Sequence, residues 1–162
     1  MRYLLPLLLL SAGAVQAEPI DAFKPMAFLA GHCWKGDFAD GKTTDVHCFS
    51  WLYEGKALRD VHTVRSPGRP DYVGESTYFW DSAAKQVSYV YVENMGGLGR
   101  GQVEATPTGI AFPGSQYING GKTMDLRVQW NRAGDDAYEA WAETKNKDAW
   151  VTMYKMVLKR LP

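Results

Sequence analysis

Residues 32–49, "HCWKGDFADGKTTDVHCF", hold both cysteines and two of the three histidines of a 162-residue chain. At the centre, Asp40-Gly41 is a strong hairpin signal, because a two-residue type I′ turn needs positive φ at both central positions. A hairpin centred there pairs residues whose numbers sum to 81, and Cys33 and Cys48 do so. Residues directly opposite on paired strands lie about 5.5 Å apart at Cα, within reach of a disulfide. The pair is neither a C-x-x-C redox motif nor a zinc-ligand set. It reads as a structural staple, with a redox or metal role as the alternative. A bridge across so short a loop is worth about 3 kcal/mol on the chain-entropy account.

The same arithmetic extends outward. Glu54-Gly55 centres a second hairpin with partner numbers summing to 109, so His47 faces His62 and Phe49 faces Asp60. Trp34 stands opposite His47 on its other side. Alternation then puts Trp34, Phe49, Trp51 and Leu58 on one face with His32, His47, His62, Asp45 and Asp60. The cysteines, Lys35 and Arg59 fall on the other. The aromatic face is the interior one, so the histidines and carboxylates line its wall. A one-residue slip would reverse every side chain.

Turn signals recur about every ten residues, at Pro67-Gly68, Asp81 to Lys85, Gly96-Gly97, Thr108-Gly109, Gly120-Gly121, Gly134-Asp135 and Asn146 to Asp148. The cleanest strand is "MDLRVQWN", with Met124, Leu126, Val128 and Trp130 on one side. In "WVTMYKMVLKR", Trp150, Tyr154, Met156 and Leu158 share a side. Alternation leaves the inward face of 72–80 and 87–93 undetermined, because both faces there are mixed. A helical turn fits between Ala22 and Leu29. The fold expected is all-β, an antiparallel up-and-down β-barrel of about 8–10 strands with a short N-terminal helical turn, a two-layer sandwich being the alternative.

The ends and the composition bound the function. "MRYLLPLLLLSAGAVQAEP" carries a basic start, a short apolar run and small residues before Ala17, the pattern of a secretory signal peptide over 1–17. Residues 18–162 then form a single barrel domain, periplasmic or secreted, without a stable membrane anchor. That portion has 17 basic and 18 acidic residues, a balance that argues against nucleic acid as partner. Enzyme motifs fail: Gln102 spoils a G-x-G-x-x-G at Gly97, Gln116 spoils a Walker loop, and "GESTY" around Ser76 lacks the closing glycine. No cofactor is called for.

Against this background, "FLAGHCWKGDF" resembles the first strand of lipocalin-like (calycin) barrels. The segments "WLYEGKALRD", "YVGESTYFWDSAAKQVSYVY" and "GIAFPG" are similar to a bacterial family of exported lipocalin-like domains of unknown function. The resemblance implies a small barrel with a ligand cavity and no defined reaction. Two departures matter. Gly31 and Trp34 are three apart rather than two, which implies a bulge near His32. No histidine follows His62, so the haem-ligand position of nitrobindin-like barrels is unmatched and haem is not implied.

Together these readings point to a monomer or weak dimer that binds a small hydrophobic molecule. Trp34, Phe49, Trp51 and Leu58 would supply the apolar wall, and His47, Asp60 and His62 the orienting polar contacts. Arg100, beside the glycine-rich 96–101 segment, is a candidate for the mouth. The alternatives are a metalloprotein or enzyme centred on His32, His47 and His62, and a structural envelope protein with a filled core.

Overall fold

The computed structural model describes residues 20–162, so the expected signal peptide lies outside the described residues. A 3₁₀ helix, Asp21–Met26, precedes ten strands. They are β1 (Cys33–Asp37), β2 (Thr44–Leu52), β3 (Ala57–Arg65), β4 (Tyr72–Asp81), β5 (Gln86–Glu93), β6 (Leu98–Thr106), β7 (Gly109–Asn119), β8 (Lys122–Arg132), β9 (Ala137–Asn146) and β10 (Ala149–Arg160). Each strand pairs antiparallel with its neighbours in sequence, and β1 pairs with β10 to close an up-and-down barrel. The sandwich alternative is thereby excluded. No helix among the described residues is long and apolar enough to cross a membrane.

The register at the start of the barrel is the one the turns dictate. Cys33 faces Cys48 and Trp34 faces His47, while His47 faces His62 and Phe49 faces Asp60. Cys33 and Cys48 form a disulfide, their Cα atoms 4.0 Å apart. The first turn keeps the expected centre but not the expected type. Gly41 has φ +64° and Asp40 has no positive φ. Instead the Asp40 carboxylate accepts the backbone N–H groups of Lys42 and Thr43, a side-chain substitute for turn hydrogen bonds.

A bulge does sit before β1. The N–H of Gly31 donates to the carbonyl of Phe49, whose own N–H donates to that of His32. Two residues thus oppose one, with Gly31 at φ +78° taking the left-handed position that glycine tolerates. A second irregularity corrects the reading of the last strand. Between Thr152 and Tyr154 the β9–β10 register shifts, leaving Met153 unpaired. Alternation reverses there, so Trp150 does not share a side with Tyr154. Its ring lies under the outward Arg127 guanidinium, 4.6 Å away.

One end of the barrel is packed solid. Phe23, Met26 and Leu29 are fully buried beneath it, and the Trp34 indole N–H donates to the Leu29 carbonyl at 3.2 Å. Trp34 also meets Tyr138 edge-on at 5.3 Å between centroids. Leu58, Ile110 and Leu158 complete this floor.

Candidate functional site

Above the floor, towards the end remote from the 3₁₀ helix, lies a cavity of about 380 Å³. Its wall combines aromatic rings, aliphatic residues of β8 and a polar patch from β2 and β3. The patch is built by alternation: Asp45 and His47 lie two apart on β2, Asp60 and His62 two apart on β3, and the two histidines are cross-strand partners. Their rings stack at 4.8 Å between centroids, 20° from parallel.

The four side chains share one hydrogen-bond network. His47 donates from Nδ1 to Asp60 Oδ2 at 2.8 Å and from Nε2 to Asp45 Oδ2 at 3.1 Å. Nδ1 of His62 meets Asp45 Oδ1 at 3.1 Å, and its Nε2 hydrogen-bonds the Tyr91 hydroxyl at 2.9 Å. Tyr91 in turn donates to the Tyr72 hydroxyl at 2.7 Å. Gly74 makes this crossing possible. A Cβ at that position would collide with the Tyr91 hydroxyl and approach His62 Nε2 to 2.5 Å.

The network fixes charge. Burial disfavours the imidazolium of His47, but the carboxylates of Asp60 and Asp45 outweigh it and raise its pKa to about 10. Burial likewise opposes the Asp45 carboxylate, yet hydrogen bonds from both imidazoles hold it well below the usual carboxylate range. Burial pushes the Tyr72 phenol up to about 12 and the Tyr91 phenol higher. The phenols are neutral hydrogen-bonding groups at physiological pH.

The sequence-derived residues separate into three places. His47, Asp60 and His62 reach the cavity wall. Trp34, Phe49 and Leu58 are buried in the packed core and do not border the cavity, while Trp51 packs edge-on against Phe23 at 6.0 Å. Arg100 points outward from β6, 3.5 Å from the Gln116 amide oxygen, whereas its neighbour Gly99 lines the cavity. The aromatic wall comes instead from later strands: Tyr72, Tyr78, Tyr89, Tyr91, Phe112 and Trp130. Those of β4 and β5 fall in the two strands whose inward face alternation left undetermined. The contrast of Gly74, Ser76 and Tyr78 with outward Val73, Glu75 and Thr77 was their one signal.

The proposed trio of histidines does not assemble. The Gly31 bulge carries His32 away from the cavity, where its Nε2 lies 3.4 Å from Arg160. Asp45 takes its place: Asp45, His47 and His62 offer donor atoms within 4.8 Å of one another. The near-parallel imidazoles address different oxygens of Asp45 rather than a common point, and both ring nitrogens of His47 are engaged by carboxylates. This is the geometry of a charged hydrogen-bond network more than that of a converging ligand set. Neither a protein-family model nor a curated protein sequence matches the chain.

Proposed function

We propose that the protein is an exported carrier or sensor of a small, mostly apolar molecule held in the barrel cavity. The observation that carries this reading is the cavity itself. Its volume, about 380 Å³, falls in the range of small-molecule pockets, and its wall is mostly apolar and aromatic, with the ionisable carboxylates and imidazoles gathered in one patch on β2 and β3. Closed barrels of about this size can enclose a ligand of this kind, which agrees with the lipocalin-like resemblance of the sequence. The Cys33–Cys48 disulfide and the leader-like first 17 residues support export to an oxidising compartment. The engaged nitrogens of His47 supply no free base, which favours binding over catalysis.

The test is native mass spectrometry of protein exported by its own leader and purified without reductant or chelator, joined to titration with the neutral probe N-phenyl-1-naphthylamine. The expected result is an organic adduct or saturable probe fluorescence, lost in Leu126→Trp, which fills the cavity from β8. A bare chain that binds no probe would sink the proposal in favour of a structural envelope protein.

A further inference from the structure

The cavity wall is one-sided in charge. Among its 21 lining residues are two aspartates, Asp45 and Asp60, and neither lysine nor arginine. Its basic side chains are the imidazoles of His47 and His62, both tied to Asp45. A carboxylate ligand would enter a mostly apolar chamber beside two fixed carboxylates, with no lysine or arginine to pair with. The remaining wall is favourable to the opposite sign. Nine aromatic rings border the space, and ring faces attract cations through their quadrupole.

Asp60 gives the second, independent observation. Its residue is 2 % exposed, and one oxygen, Oδ2, accepts from His47. The other, Oδ1, is enclosed and has no hydrogen-bond partner. Asp45, by contrast, spends both oxygens on imidazoles. An enclosed carboxylate oxygen without a donor is costly, and Asp60 borders the cavity. Tyr138 also has an unpartnered hydroxyl, but it packs within the floor and does not line the space.

Resting on the binding reading above, we infer that the ligand is a protonated organic amine with an apolar body, its N–H donated to Asp60 Oδ1 and its charge enclosed by the aromatic wall. His47 donates to Asp60 Oδ2 alone and leaves Oδ1 for the amine N–H. The ligand class is therefore defined by sign as well as by shape.

The experiment is calorimetric titration of the oxidised protein at about pH 8, where an ordinary imidazole is neutral and an aliphatic amine charged. Three probes share one ring system: 1-naphthylmethylamine, 1-naphthylmethanol and 1-naphthoate. The amine is expected to bind at least about tenfold tighter than the alcohol, as a desolvated charge pair requires, with naphthoate weakest. Asp60→Asn should weaken the amine far more than the alcohol and bring the two to within about twofold of one another. The N,N,N-trimethyl derivative of the amine tests the same contact on the unaltered protein, because it keeps the charge and lacks the N–H. It should bind more weakly than the parent amine. Equal affinity for amine and alcohol, tightest binding of naphthoate, or an undiminished trimethyl derivative would each overturn the inference while the carrier reading stands. Failure of all the probes to bind overturns both.

Discussion

The two ends of this barrel use the same residue types for different purposes. At the floor, Trp34, Leu58 and Tyr138 are enclosed on every side, and Trp34 is anchored by a backbone carbonyl. At the other end, Tyr72, Tyr91 and Trp130 border a space, and the polar atoms among them hold one another in place. Aromatic content alone does not separate a packed floor from a lined cavity. What separates them is the company: the floor borders the 3₁₀ helix, while the cavity rings border a chain of ionised and hydroxyl groups.

That contrast can be broken most forcefully at the floor. Trp34→Ala should destabilise the fold by about 3–5 kcal/mol in chemical denaturation, since a fully enclosed indole leaves a void. Leu58→Ala should cost about 2–5 kcal/mol, whereas Leu126→Ala, on the cavity wall, should cost only about 1 kcal/mol because no sealed void is created. Comparable losses at the two leucines would show that the upper end is packed as well. Reduction of Cys33–Cys48 should lower stability by about 3 kcal/mol, measured from the urea unfolding curves of the oxidised and reduced protein.

The pH dependence sharpens the comparison, because the carboxylate–imidazole network lies at the upper end. His47 has its pKa raised from 6.5 to about 10, so its contribution is complete below the lower value and is lost as pH rises through the upper. Asp45, with its pKa lowered, contributes above the ordinary carboxylate range and loses that contribution on acidification through its folded value. Urea midpoints should therefore fall between about pH 6.5 and 10, and His47→Gln should flatten that limb. A limb of unchanged steepness in the variant would assign the titration elsewhere. The smallest expected effect is at Gly74→Ala: about 1 kcal/mol of stability through crowding, with loss of the His62–Tyr91 contact seen as a changed imidazole resonance.

Much of the fold was legible because turns fix register. Two dipeptides, Asp40-Gly41 and Glu54-Gly55, were enough to place the cysteines opposite one another and His47 against His62. The register survived even though the first turn is closed by the Asp40 side chain rather than by two positive-φ residues, since pairing depends on the centre of a hairpin and not on its type. The site was half legible. Asp60, His47 and His62 followed from the two hairpins, but Tyr72 and Tyr91 lie on strands whose outward positions, such as Val73 and Val92, are also apolar, and alternation is silent there. Trp150 was misplaced for a different reason. A single unpaired residue, Met153, inverts the face of everything before it on β10, and nothing in its sequence announces that.

The closure of the barrel carries a last consequence. β1 is five residues long and meets β10 through only three residue pairs, whereas β2 meets β3 through nine. The barrel is thus a ribbon fastened along one short seam. Parting of that seam would leave twelve-residue β10 with an unpaired edge, the kind of edge along which two copies exchange or add strands. The disulfide, on the far side of β1, cannot hold the seam itself. It keeps β1 attached to β2, which limits how far a parted β1 can move from the rest of the barrel.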